Sequence, residues 1–365
     1  MGPSALFGRH RAGRTLPRLA NLKHPVDRRF SSLLLALTLL GVPNLAWALP
    51  VGSLDAEERG GPPTFPTPLA LEDAVGFWTE LFSHYDSGQV VLHDRENMQL
   101  IWQVWPLPRS GGRVDERASA ILEREAFEAL RLRLQRLAST GLALDETDTA
   151  LLAVAERGGV QDLEGAAERL RLQRGVADQF RAGLERSRSW RADICRILRQ
   201  EGVPEEILAL PFVESMYNPQ ARSGVGARGL WQLMPATARG LGLRVSRKSD
   251  ERADLFKATR AAARMLRQNY RLLGSWPLAI TAYNHGPNGV RRAVLAVGST
   301  DLVDLIDNYQ QASWGFASKN FYAEFLAAAA AVEADARLVA EMPTPRAGSA
   351  RARADSGASE AAQPL

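Results

Sequence analysis

Apolar residues recur every three or four positions over most of the chain, and the places where that spacing breaks divide it into segments. The first break is the run Leu33 to Val42, preceded by basic residues up to Arg29 and followed by Ala46-Trp47-Ala48. A basic stretch, an apolar stretch and a small-x-small tripeptide make a secretory signal peptide over residues 1–48, with cleavage after Ala48. A retained anchor is the alternative, but Pro43-Asn44 interrupts a segment that would need about 20 mostly apolar residues to span a bilayer. Residues 49–69, with Gly60-Gly61-Pro62-Pro63, read as a linker.

Phe77, Trp78, Leu81 and Phe82 then predict a helix near residues 71–84. The short apolar runs Val90-Val91-Leu92 and Leu100 to Trp105 suit a strand or a buried helical segment equally. Over 115–138 and 147–183, Leu and Ala alternate with Arg and Glu at helical spacing, as on helices with one solvated face. From 186 to about 340 the pattern tightens into one helical unit. Ile194, Ile197 and Leu198 give an apolar face that takes in Cys195 as core filler, Gly202 stops the helix, and Pro204 with Glu205 and Glu206 starts another. Residues 342–365, mostly Ala, Ser, Gly, Pro and Arg, carry too little apolar surface to order themselves. The expected fold class is mainly α, with an accessory, mostly helical region at 70–185 and a compact helical domain at 186–341.

Composition alters this picture in two places. The 365 residues are 45% hydrophobic and 24% charged, values of a folded chain of more than one unit. One cysteine allows neither an internal disulfide nor a thiolate zinc cluster. The formal charge of +4 suggests nucleic acid until it is mapped: seven basic residues stand against Asp27 in the leader, and acids slightly outnumber bases beyond it. The basicity belongs to the leader, and no nucleic-acid partner is expected. Past the leader only His84, His93 and His285 remain, without ligand spacing, so no metal and no cofactor is implied. No cysteine stands directly after the apolar run, so a lipid anchor there has no acceptor, and the expected location is the periplasm.

The candidate chemistry begins at Glu214. Ile207-Leu208-Ala209-Leu210-Pro211-Phe212-Val213 places this carboxylate at the end of a run that is apolar on every side. Desolvation penalises the charged form and raises a carboxyl pKa, the condition for a general acid near neutral pH. Pro211 cannot donate to the carbonyl of Ile207, so a kink one turn earlier aims the acid outward. The competing reading is a buried ion pair with Arg222 or Arg228. A glycine-dense loop, Ser223 to Gly229, follows; it lacks the Lys-Ser/Thr ending of a phosphate cradle. Further on, Pro277 to Gly286 ends a short apolar helix in Tyr283, Asn284 and His285, three polar groups at one end.

Glu214-Ser215, Gly229-Leu230-Trp231-Gln232 with Met234-Pro235-Ala236-Thr237-Ala238, Ala282-Tyr283-Asn284-His285-Gly286 and Asn320-Phe321-Tyr322-Ala323 occur in an order, over about 110 residues, that resembles the SLT-type lytic transglycosylases. The resemblance implies a lysozyme-like helical domain with a small β element, and an enzyme that cleaves the β-1,4 bond between N-acetylmuramic acid and N-acetylglucosamine with formation of a 1,6-anhydro ring. Peptidoglycan glycan strands are the implied partner. It implies Glu214 as the single acid/base, Ser215 as its orienting hydrogen-bond partner, Gln232 and Asn284 as holders of acetamido groups, Tyr283 and Tyr322 as groups positioning acid and sugar, and Met234 at the cleft. For Tyr322, packing beside Phe321 and Phe325 is the competing role. Trp231 stands where the family commonly has Met, either to stack on a sugar or to fill volume; His285 fits a helix cap. No LysM-type repeat is found, so wall anchorage through such modules is not expected. A hydrolase acting on the same bond through water, and a wall-binding scaffold without activity, are the competing functions.

Overall fold

The structure, a computed structural model, describes residues 63–341. The expected signal peptide, most of the linker and the C-terminal tail lie outside the described residues. Within them the chain is mainly helical, as its periodicity predicts. Helix α1 spans Glu72–Ser83 after a 3-10 turn at Leu69–Leu71, and buries Phe77, Trp78, Leu81 and Phe82. The two ambiguous runs are strands, β1 (Gln89–Asp94) and β2 (Ile101–Pro106), followed by a small hairpin of β3 (Arg109–Ser110) and β4 (Arg113–Val114).

Helices α2 (Glu116–Thr140), α3 (Glu146–Arg157) and α4 (Leu163–Glu168) follow. Each is opened by an aspartate, Asp115, Asp145 or Asp162, whose carboxylate accepts from backbone N–H groups of the first turn; such caps contribute about 1 kcal/mol each. Part of the 147–183 segment expected as helix is instead strand β5 (Leu170–Arg174). Its Leu-Arg-Leu also alternates with period two, and pairing with β1 overrides its weak helical preference.

The sheet is antiparallel with β1 in the middle, Val91 opposite Val104 on one side and Gln173 on the other. A central strand between two packed layers explains the unbroken apolar run: Val91 points into the main core, while Leu92 joins a second core with Trp102, Leu130, Leu134, Leu137 and Leu151.

Helix α5 (Ala177–Arg188) leads into α6 (Arg191–Gln200), a 3-10 segment at Glu205–Ala209, α7 (Leu210–Ser215) and α8 (Pro235–Gly240). Then come α9 (Leu255–Leu273), α10 (Trp276–His285), α11 (Pro287–Val297), α12 (Leu302–Asn308) and the long α13 (Phe316–Glu341). In this part β structure is limited to three isolated bridges, Arg222 with Arg228, Arg228 with Leu233, and Val245 with Asp250.

The expected boundary at 185/186 falls inside α5. Helices α1 and α5 share one continuous core with α6 to α13, and only the sheet with α2 to α4 encloses the separate second core. An aromatic column joins the pieces: Phe82 stacks on Phe180 at 4.6 Å, and Phe180 meets Phe212 at 4.8 Å. The end of the expected linker is also packed. The ring of Phe65 lies 5.9 Å from Trp276 and 5.1 Å from Phe325, because an aromatic side chain among the prolines supplies the apolar area that the rest of the segment lacks.

Candidate active site

Glu214 sits at the open end of an interrupted helix. Pro204 caps a 3-10 segment that changes to α-helix at Leu210-Pro211, with Pro211 in the first turn of α7, where its missing N–H leaves no bond unmade. Ile207, Ala209, Leu210 and Phe212 are buried in the core, whereas Val213, Glu214 and Ser215 are half-exposed. The helix thus drives one side into the core and leaves the carboxylate half-exposed at its end.

The chain then leaves α7 through two consecutive left-handed residues, Met216 at φ 48° and Tyr217 at φ 57°. Their N–H groups donate to Phe212 O and Pro211 O at 3.1 Å each, closing the last helical carbonyls. The Tyr217 ring is fully buried, 4.6 Å from Phe212 and stacked at 6.4 Å on Trp190. A left-handed conformation costs a non-glycine residue about 1–3 kcal/mol, and persists only where its surroundings over-determine it.

The loop that faces this turn is organised by glycine and arginine. Gly229 adopts φ +82°, and a Cβ there would lie 1.9 Å from the carbonyl oxygen of Arg252, so both the conformation and the close approach require glycine. Arg252, almost fully buried, donates from Nη1 to Gly226 O at 2.7 Å and Leu233 O at 2.9 Å, and pairs with Asp250 through Nε and Nη2. Asp250 also takes Arg228 at 2.9 Å. The hydrogen bonds from Arg252, ahead of the opposing desolvation, and those from Arg228 hold the Asp250 carboxyl well below the usual carboxylate range. Arg228, one of the two candidate ion-pair partners for Glu214, pairs with Asp250 through Nη1.

Three ties bring the motifs of the sequence to one place. Ser215 Oγ donates to Leu230 O at 2.8 Å or Pro211 O at 3.1 Å and accepts from the Asn218 N–H at 3.2 Å. It staples the Glu214 turn to the 229–233 loop, and so ties the backbone that carries the acid to the facing loop. Tyr283 Oη donates to Trp231 O at 2.7 Å, which fixes α10 against the same loop. Burial, together with the charge of Glu214, pushes the Tyr283 phenol well above its ordinary pKa, so the wall beside Glu214 carries a neutral phenol. Gln232 is the third left-handed residue, φ 45°, and its Nε2 donates to Gly229 O at 2.8 Å and Ala221 O at 3.4 Å. Met234, 42% exposed, and Asn284 stand on the exposed rim of this cluster.

Two residues are placed elsewhere. Tyr322, expected to line the cleft, is fully buried, stacks 6.2 Å from Phe325, and donates its hydroxyl to Pro66 O at 2.8 Å. The extended proline segment offers the Pro66 carbonyl as an acceptor for this buried phenol, and packing holds the ring in the core. Burial raises its pKa strongly. Trp231 is also fully buried, with Nε1 donating to Thr259 Oγ1 at 2.9 Å, and fills volume rather than stacking on a ligand. His285 Nδ1 lies 2.8 Å from Ser318 Oγ, and burial, with Arg292 nearby, lowers its pKa. Arg252, Asp250 and Thr259 are the members of the scaffold that sequence reasoning missed. Asp250 and Arg252 flank one residue in a polar segment, and nothing in that pattern marks a pair that organises a loop twenty residues earlier.

Residues 195–304 match the family model described as "Transglycosylase SLT domain". A segment of 98 residues is 40% identical to membrane-bound lytic murein transglycosylase D of Escherichia coli K12, covering 27% of this chain and 22% of that protein. A segment of 85 residues is 39% identical to a transglycosylase of Enterobacteria phage PRD1, covering 23% of this chain and 30% of the phage protein. Among solved structures, the lytic transglycosylase Slt of Pseudomonas aeruginosa aligns at 23% identity and a TM-score of 0.34, over 60% of this chain and 33% of that one. The chain thus spans less than a third of the length of these curated relatives, and the segment that matches the family model holds Glu214, Gln232, Tyr283 and Asn284. The segment built around the Glu214 turn matches the transglycosylase SLT domain family, the family that its sequence motifs resemble.

Proposed function

We propose that the chain is a peptidoglycan lytic transglycosylase, in which Glu214 alone serves as acid and then as base. The observation that carries this is the Glu214 turn itself: a carboxylate at the mouth of an apolar helix, held against a loop and a neutral phenol by backbone ties from Ser215 and Tyr283. Protonated Glu214 gives its proton to the oxygen between N-acetylmuramic acid and N-acetylglucosamine as that bond breaks. The acetamido oxygen of the muramyl residue stabilises the positive anomeric carbon. Glu214, now a carboxylate, takes the proton of the muramyl C6 hydroxyl, whose oxygen bonds to the anomeric carbon and closes the 1,6-anhydro ring. The acid is regenerated and no water is consumed.

The surroundings support a one-carboxylate route, since most glycosidases use a pair. Three of the aspartates that follow it in the chain have other work: Asp250 holds Arg228 and Arg252, Asp254 caps α9, and Asp301 caps α12. Gln232 commits its Nε2 to Gly229 O, which leaves Oε1 as the acceptor suited to a substrate acetamido N–H, and Asn284 offers an exposed amide beside Tyr283. The N-terminal pattern supports export to the periplasm, and no helix among the described residues is long and apolar enough to cross a membrane. The test is a digest of purified peptidoglycan sacculi followed by mass analysis of the released muropeptides. Anhydro-muramyl ends, lighter than reducing ends by one water, are the expected product; reducing ends would make the enzyme a hydrolase, and no release would leave a wall-binding protein.

A further inference from the structure

The two left-handed residues after Glu214 are held from outside the matched family segment. Helix α5, which ends before residue 195, lies against the turn. Arg186 Nη2 donates to Met216 O at 2.6 Å and Arg186 Nε to Tyr217 O at 3.3 Å, so one guanidinium takes both carbonyls of the strained pair. One helical turn earlier, Gly183 is buried against the same backbone: a Cβ there would meet Met216 O at 2.8 Å and Phe212 Cε1 at 3.2 Å. Gly183 has no positive φ, so its role is the close approach of α5 to the turn, which brings Arg186 within reach. Phe180, a further turn back, packs on Phe212. Three residues on one face of α5 at i, i+3 and i+6 therefore address one side of α7 and the turn that ends it.

A planar guanidinium suits this task because its donors are fixed in direction, and a charged donor strengthens each bond to a neutral carbonyl. The carbonyls of left-handed residues point away from the helix axis and need such a partner when half-buried. Without it, Met216 and Tyr217 have a lower-energy right-handed or extended alternative, and the last turn of α7, which carries Glu214, is free to unwind.

We propose that Arg186 is a positioning residue for Glu214: it locks the left-handed Met216-Tyr217 turn and so fixes where the end of α7 presents the carboxylate. It follows that the catalytic unit begins in α5 rather than at the edge of the family segment. The inference rests on the transglycosylase proposal for its kinetic consequence, but its structural half is measurable without turnover.

Hydrogen exchange on the full chain reads that half. In Arg186→Ala the amides of Met216 and Tyr217 should exchange at least tenfold faster, while those of α9 and α10 keep their wild-type rates. With solubilised glycan strands as substrate, kcat should fall at least tenfold with KM within twofold of wild type, because the sugar-binding rim does not touch Arg186. Arg186→Lys, which retains a charged donor to Met216 O, should lie between the two in both readouts; it also serves if Arg186→Ala does not fold. In the double variant Arg186→Ala/Met216→Asn, kcat should recover by at least threefold, because Asn enters the left-handed region more readily. Unchanged exchange at 216–217 overturns the proposal, as does faster exchange with kcat unchanged. Faster exchange in a protein whose wild type releases no anhydro product fails the transglycosylase proposal while leaving the positioning of the turn intact.

Discussion

The molecule contains two packed regions that treat backbone strain in opposite ways. The second core, under the sheet and among α2 to α4, is built by Leu92, Trp102, Leu130, Leu134, Leu137 and Leu151, and the buried acids beside it are paired. Asp148 there takes Arg133 at 2.7 Å and also Arg136, and Asp94 takes Arg169 at 2.9 Å. All three left-handed non-glycine residues among the described residues, Met216, Tyr217 and Gln232, lie in the other region, on the two segments that meet at Glu214. One region has no left-handed non-glycine residue among the described residues, whereas the other keeps three and surrounds them with Arg252, Asp250, Ser215 and Tyr283. Strain that survives only at one cluster marks where the chain needs a particular shape rather than stability alone.

The sharpest way to break that contrast is Gly229→Ala. The new Cβ would lie 1.9 Å from Arg252 O in a residue at φ +82°, so the loop must move. A loss of about 4 kcal/mol or more is expected, together with loss of activity, and thermal melts and glycan turnover measure both. Asp250→Asn should follow, at about 3 kcal/mol, because it leaves Arg228 and Arg252 without their acid in a largely buried setting. The pH dependence has a definite sign. Since the folded Asp250 carboxyl is held below its unfolded value, its stabilisation is fully present above pH of about 4 and is lost as pH falls toward the lower folded value. The wild-type melting temperature should therefore drop on acidification more steeply than that of Asp250→Asn. In the other region, Leu134→Ala removes a fully buried side chain of the second core and should cost about 2–5 kcal/mol. Below its melting temperature kcat should stay at the wild-type value; a parallel loss of kcat would show that the two regions are coupled.

Some of this was legible in the residues. The apolar run ending in Glu214 leads to a half-exposed acid at a helix end because burial of Leu210 and Phe212 acts locally, whereas Pro211, read as a kink, starts α7 and leaves no bond unmade. The helix over 71–84 and helical structure over 115–138 follow from the spacing of their apolar residues. What failed to show was decided by partners far along the chain. Val90-Val91-Leu92 is a strand because β2 and β5 pair with it on both sides, and the Leu-Arg-Leu of β5 becomes a strand for the same reason. Tyr322 carries a family motif yet packs in the core, since its hydroxyl finds Pro66 O, 256 residues away. Ser215 bonds the facing loop because Gly229 lets that loop approach, which depends on Arg252 in turn. Motif residues gather around Glu214, while Asp250 and Arg252, which hold the facing loop, lie in a polar segment with no periodic signal.

The central claim is that the carboxylate of Glu214 transfers the proton. Glu214→Gln preserves size and one acceptor but cannot give or take a proton, so release of anhydro-muropeptides should fall by about 10²–10⁴-fold or more, with circular dichroism and binding to glycan strands unchanged. Glu205→Gln and Glu206→Gln, at the start of the same 3-10 segment, should retain activity. Release of anhydro-muropeptides by a folded Glu214→Gln protein at close to the wild-type rate would contradict the account.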